Sequence, residues 1–187
     1  MKEIVFLVEE RSAKAMLESV LPRLLPPNSR YRIIPFEGKQ DLEKQMTARI
    51  RGYQNQDAQF IIFRDQDSAP DCTTIKQRLL DHCAESGKRN HCLVRIACTE
   101  LESFYLADLA AVEQGLNITG LQKLQGTKKY RHPDRLGSPS HELKLLTKNR
   151  YEKIAGSRDI GRHLALDNER SCSFKHLISG IHRLHAK

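Results

Sequence analysis

The chain has 187 residues, of which 39% are hydrophobic and 29% charged, and its formal net charge is +8. This profile is typical of a globular protein and excludes a disordered or membrane-embedded one. The apolar start of the chain is interrupted by Glu9, Glu10 and Arg11, which indicates a first strand and not a signal peptide, so we expect a cytoplasmic protein with no membrane contact.

Apolar runs and helical stripes alternate in the first part of the chain. Strands are predicted at 4–8, 31–36, 60–63 and 92–97, and the first and third of these are apolar throughout. Apolar residues at helical spacing predict helices at 13–24, 42–53, 75–83 and 100–115. This order implies right-handed crossovers, so we predict an α/β fold in which residues 1–115 form a three-layer domain around a mostly parallel four-stranded sheet.

The rest of the chain is basic and contains no predicted strand. Residues 1–115 carry 16 Lys and Arg against 17 Asp and Glu, whereas residues 116–187 carry 15 against 6. A Gly- and Pro-rich loop is predicted at 126–140, short helices at 141–148 and 157–166, and a longer helix from Ser173. We expect a smaller basic α-helical extension, packed on the first domain, that attracts nucleic acid; the alternative is a solvated basic face without a partner.

Three acidic residues follow predicted strands at their carboxyl ends. Glu9 follows the first strand, and Asp65 and Asp67 follow the third. Ligands of parallel sheets bind beyond these ends, and residues i and i+2 of an extended segment point the same way. Carboxylates of this kind suit Mg²⁺ or Mn²⁺, so we predict a metal site; the alternative is that these residues cap helices or lie in solvated loops.

Further charged residues are candidates for the same site. Glu100 and Glu102 follow the fourth strand and are candidate metal ligands, although Thr99-x-x-Glu102 also fits a capping box. Lys153 and Arg158 are candidates for stabilising charge on a phosphate, the alternative being a basic surface loop. The candidates for contact with a nucleic-acid backbone are Lys128, Lys129, Arg131, Arg135 and Arg158, and Tyr130 is a candidate for stacking on a base.

Two segments resemble motifs of the Toprim superfamily. FLVEERSA is similar to the strand and Val-Glu-Gly-like turn that begin Toprim domains, with Glu9 at the glutamate, and IFRDQDS is similar to their Asp-x-Asp motif, with Asp65 and Asp67 as the aspartates. The resemblance covers about residues 1–107. It implies a Toprim-like fold, a Mg²⁺ site at these residues and phosphodiester chemistry.

The sequence departs from the Toprim pattern at two positions. Glu10 stands where a glycine is usual, which puts a tight positive-φ turn in doubt, and Ala69 stands where topoisomerases often have a third aspartate, which favours nuclease-like members. The whole chain also resembles the bacterial Toprim-like domain-of-unknown-function family 4276, in FEGKQDLEK, RDQDS, ELESFYLAD and YEKIAGSRDIG. That resemblance implies a link of some relatives to anti-phage defence, often beside an ATPase.

These observations lead to one principal hypothesis and two alternatives. The principal one is a Mg²⁺-dependent nuclease that cuts DNA or RNA, with Glu9, Asp65, Asp67 and Lys153 as catalytic residues. The first alternative, which Glu10 favours, is a catalytically silent subunit that binds nucleic acid and serves a partner ATPase. The second is a nucleotidyl hydrolase or transferase for small substrates.

Overall fold

The computed structural model describes residues 3–186, and a four-stranded sheet forms its centre. The strands are β1 (Ile4–Val8), β2 (Tyr31–Pro35), β3 (Gln59–Asp65) and β4 (Cys92–Ala97). Their spatial order is β2-β1-β3-β4, and all three pairings are parallel. The predicted α/β fold is confirmed. β3 extends two residues beyond its predicted end, so Asp65 is the last residue of the strand itself.

Eight α-helices cover the sheet within the described residues. They are α1 (Arg11–Leu24), α2 (Lys39–Arg51), α3 (Cys72–Glu85), α4 (Glu102–Leu106), α5 (Leu109–Leu116), α6 (Pro139–Leu146), α7 (Lys153–Gly161) and α8 (Cys172–Ala186). The apolar side chains of α2 and α3 form the core on one face of the sheet, and those of the other six helices form the core on the opposite face. None of these helices combines the length and the apolar character needed to cross a membrane.

Two predicted helices differ from those observed. The helix expected at 100–115 is broken into α4 and α5 at Asp108, whose carboxylate accepts hydrogen bonds from the N–H groups of Ala111 (3.1 Å) and Ala165 (2.8 Å). The first of these bonds caps α5. The helix expected at 157–166 begins earlier, at Lys153, and continues through Gly156, which packs against the ring of Tyr151.

The helices after residue 116 complete the core on one face of the sheet. Tyr151, Ile160 and Phe174 are buried in the same core as Phe6 of β1 and Phe63 of β3. α7 lies along α1 and α5 at very short range, because glycines occupy the crossings. The boundary near residue 115 between a domain and an extension remains a prediction.

Candidate functional site

Two of the predicted acidic residues lie side by side at the carboxyl edge of the sheet. β1 and β3 are neighbours with Val8 opposite Phe63, so Glu9 and Asp65 leave adjacent strands at nearly the same level. The Asp65 N–H donates to Glu9 Oε2 at 3.0 Å. Burial raises the pKa of Glu9, while the hydrogen bond from Asp65 and the charge of Arg64 act in the opposite direction.

Asp65 points toward α4 and α7, where it meets a third acid. Burial raises the pKa of Asp65 well above its ordinary value, and the charges of Glu102 and Glu9 raise it further. Glu102 begins α4, is buried, and accepts a hydrogen bond from the Tyr151 hydroxyl at 2.9 Å. Burial raises the pKa of Glu102 despite this bond. We call Glu9, Glu10, Asp65 and Glu102 the acidic cluster.

Lys153 supplies positive charge to the acidic cluster. It is the first residue of α7, and its Nζ lies 2.5 Å from Glu10 Oε2. Burial acts to lower the pKa of Lys153, but the hydrogen bond and charge of Glu10, together with the charges of Glu102 and Asp65, raise it overall. The ammonium group is therefore charged and is half-exposed beside the carboxylates. Glu10 was not predicted as a site residue. Its φ is −140°, so the backbone makes no positive-φ turn at the position where Toprim domains usually have glycine.

Asp67 lies apart from Asp65. The expectation that both carboxylates point the same way required an extended backbone, but Asp67 has φ 55°, in the left-handed region. Its Oδ2 lies 2.9 Å from Lys39 Nζ and 3.5 Å from Arg64 Nη2, on the side of the sheet covered by α2. The structure thus brings together Glu9, Asp65, Glu102 and Lys153. Asp67 lies next to this group, on the side that faces α2.

Arg64 links the two sides and was missed in the sequence. Its side chain is 2% exposed, and its guanidinium lies 2.6 Å from Glu43, 3.5 Å from Asp67 and 3.7 Å from Glu9. A buried arginine with three carboxylates is held in one orientation, because each departure would leave a buried charge unpaired. The signal in the sequence is an arginine placed directly between the apolar run FIIF and Asp65.

The remaining predicted acid, Glu100, has a structural partner. Glu100 Oε2 accepts a hydrogen bond from the Ser140 N–H at 2.6 Å, in the first turn of α6. The capping box considered for Thr99 and Glu102 does not form. Thr99 has φ 57° and donates its hydroxyl to the Leu136 carbonyl at 3.0 Å, while Glu102 binds Tyr151.

The basic loop lies mainly at the surface, with one exception. The exposed side chains of the loop are Lys128, Lys129, Arg131 and Arg135. The Lys129 ammonium lies 2.8 Å from the Glu142 carboxylate. Arg158 is exposed on α7, more than one turn beyond Lys153. Tyr130, considered for stacking on a base, is 6% exposed and donates its hydroxyl to Glu142. That interpretation was wrong: Tyr130 is a core residue that fixes the loop to α6.

Removing the Tyr151 hydroxyl tests the hydrogen bond to Glu102. In Tyr151→Phe, the buried Glu102 carboxylate loses a donor 2.9 Å away, so we expect the free energy of unfolding in urea to fall by about 1–3 kcal/mol. Tyr53→Phe is the matched control. The Tyr53 hydroxyl donates to Glu3 at 3.0 Å, and this hydrogen bond lies outside the site and is only partly buried. Equal losses in both variants would contradict a special role for the Tyr151 bond.

Comparisons with known proteins show the fold and the family. No curated protein is significantly similar to the sequence. The C-terminal region of the Burkholderia pseudomallei OLD protein has a similar structure, with a TM-score of 0.53 and 13% identity over 96% of this chain and 97% of that chain. The C-terminal region of the Xanthomonas campestris pv. campestris OLD protein gives a TM-score of 0.45 and 14% identity over 98% of both chains. A family model described as "Domain of unknown function (DUF4276)" matches residues 8–182, and the chain therefore belongs to this family.

Proposed function

We propose that this protein is a Mg²⁺- or Mn²⁺-dependent phosphodiesterase that cuts nucleic acid at the acidic cluster. One observation carries the proposal: carboxylates from three distant segments, Glu9, Asp65 and Glu102, gather at the carboxyl edge of a parallel sheet beside Lys153. Buried like charges cost free energy, so their grouping calls for a binding partner of opposite charge.

The donor set fits a hard divalent cation. Within residues 3–186, no three His, Cys, Asp or Glu side chains are arranged to hold a metal by themselves. Mg²⁺, however, commonly takes only one or two carboxylates and completes its shell with water and phosphate oxygens. Glu9 and Asp65 would be those ligands. Glu102 lies close enough for its charge to act on Asp65, whereas Arg64 lies between Glu9 and Asp67. When bound, the ion would polarise the phosphate and promote ionisation of water.

The protein's own residues would bind and orient the substrate. Lys153 is half-exposed and charged, and its charge acts on Asp65, so it can hold a phosphate oxygen and stabilise the charge that builds on it. Arg64 is too buried to reach a substrate, and its part is to fix Glu9 and Asp67. Arg158 lies farther along α7 and would contact only a flanking phosphate.

Two further observations support this assignment. The Toprim resemblance, which places Glu9, Asp65 and Asp67 at family motif positions, agrees with a phosphodiester substrate. The fold is also that of a C-terminal region of a longer protein, which is consistent with a chain that acts with another domain or partner. We propose an ATPase as that partner and anti-phage defence as the setting, on the family resemblance.

The test is cleavage by the purified protein. We expect it to cut plasmid DNA, linear duplex or RNA with Mg²⁺ or Mn²⁺ and not with chelator. Mn²⁺ at about 100 times its Kd should also stabilise the fold by about 2.7 kcal/mol, which raises Tm by roughly 5–10 °C. Absence of both cleavage and any Mn²⁺-dependent change in Tm would contradict the proposal, and turnover of nucleotides alone would indicate a small substrate.

A catalytically silent subunit is the second candidate, and a specific observation favours it. Lys39 and Arg64 neutralise Asp67, and Lys153 neutralises Glu10, so much of the site's charge is already paired within the chain. Such a protein would bind nucleic acid and leave it intact. Binding that weakens with salt, without cleavage in Mn²⁺, is its signature.

A further inference from the structure

A basic groove runs along the open edge of the sheet. β4 is an edge strand, since β3 is its one neighbour in the described sheet. α3 and α8 lie on opposite faces of the sheet, so the edge of β4 forms a groove floor between two helical walls. The groove contains five basic side chains: Lys76, Arg89, Arg95, His176 and Arg183. We call it the β4 groove.

The charge of the β4 groove is not balanced from within. No acidic side chain lines it, and none of its five basic residues forms an ion pair within 4.0 Å with an acid in the part of the chain that the structure describes. Burial lowers the pKa of Arg95, and the positive charge of Arg183 lowers it further. A bound anion would relieve this repulsion.

The β4 groove leads toward the acidic cluster. It follows the whole of β4, a strand of about 20 Å, and ends near Cys98 and Cys172. Asp65 lies opposite Ala97 in the pairing of β3 with β4, so its backbone is one strand away from the residue that precedes Cys98 at the end of the groove. The groove therefore ends at the same carboxyl edge of the sheet as the acidic cluster.

We propose that the β4 groove binds the phosphodiester backbone of a nucleic-acid strand and directs it to the acidic cluster. The inference rests on the proposed function in identifying the polyanion as nucleic acid. An added peptide strand fits less well, because Arg95 covers the strand edge by donating to the Val94 carbonyl at 2.9 Å and the His176 carbonyl at 2.8 Å. A second copy of the chain would place its own arginines against these, which like charges oppose.

Binding without cleavage tests the groove separately from catalysis. A labelled oligonucleotide of roughly 20 nucleotides, as DNA and as RNA, is titrated with the full chain in chelator. In the triple variant Lys76→Gln, Arg89→Gln, Arg183→Gln, all at exposed positions, we expect binding to weaken by roughly 10- to 100-fold and the salt slope to fall by about 2. The control triple variant, Lys123→Gln, Lys144→Gln, Lys148→Gln, removes the same amount of charge elsewhere on the surface. Its Kd for the oligonucleotide should stay within about threefold of that of the unmodified protein.

Alkylation of Cys172 locates the bound strand. Cys172 is exposed at the end of the groove, whereas Cys83 is buried, so bound oligonucleotide should slow alkylation of Cys172 and leave Cys83 unreactive throughout. The inference would be overturned if both triple variants lost the same amount of oligonucleotide affinity. It would also be overturned if saturating oligonucleotide left the alkylation rate of Cys172 unchanged. Equally tight binding of a polyglutamate peptide would overturn it too, because it would identify an acidic protein partner. Groove binding without cleavage in Mn²⁺ would sustain the inference and refute the proposed function.

Discussion

Replacing Asp65 by asparagine should reduce metal-dependent cleavage by on the order of 10³-fold or more, with the fold intact. Asn keeps the size of the side chain and an oxygen that can accept from the nearby Leu101 N–H. It removes a charge that Glu9 and Glu102 repel, so Tm without metal should be unchanged or higher. Loss of activity with no loss of stability indicates a residue retained for function.

Two further variants make this test specific. Asp81→Asn removes an exposed carboxylate of α3 that accepts from Gln77, far from the cluster, and should leave cleavage unchanged. Asp67→Asn should lower cleavage by about tenfold if Asp67 mainly orients Arg64, and as strongly as Asp65→Asn if it ligates the metal. Full activity in Asp65→Asn would refute the assignment of the site. Thermal scans with and without Mn²⁺ complete the measurement.

Adding one methyl group at Gly115 should destabilise the protein by about 3 kcal/mol or more. Gly115 lies where α5 crosses α7, and a Cβ there would be 2.7 Å from both Cα and N of Ile160 and 2.8 Å from the carbonyl carbon of Asp159. These are backbone atoms in a helix, so the steric clash can be removed only if the two helices move apart. For a chain of this length the expected fall in Tm is about 10 °C.

Gly137→Ala is the matched control for Gly115→Ala. A Cβ at Gly137 meets nothing within 4 Å, and the residue does not have positive φ, so the change should stay within about 0.5 kcal/mol. Urea unfolding of both variants gives the two free energies directly. A Gly115→Ala protein as stable as its control would show that α5 and α7 can shift apart without cost.

The centre of the sheet was predictable because β1 and β3 are buried on both faces. Runs such as Ile4–Val8 are continuously apolar, and the parallel arrangement follows from the helices between them. The helix boundaries were less predictable, because side chains distant in sequence set them. Asp108 ends one helix and caps the next while also binding Ala165. At Gly156, within α7, the ring of Tyr151 occupies the space that a side chain would need.

The candidate site was predictable only in part. The approach of Glu9 to Asp65 follows from parallel strands with a common edge, which periodicity reveals. The backbone of Asp67 could not be read in the same way, because its positive φ depends on hydrogen bonds with the segment after β4, such as that from its N–H to the Thr99 carbonyl at 2.7 Å. Tyr130 was misinterpreted for a related reason: composition marks a loop but not which of its side chains the core accepts.

The late position of α7 and α8 along the chain affects how the protein is made. At about 5–20 residues per second, a ribosome needs about 4–18 s to pass from the end of β4 to the last turns of α8. During that interval Phe6 and Phe63 lack the helices that later cover them, and a newly emerged chain presents a wide apolar surface to its neighbours. Slow translation or crowded expression would therefore favour aggregation, and chaperones that shield nascent chains would raise the yield of folded protein.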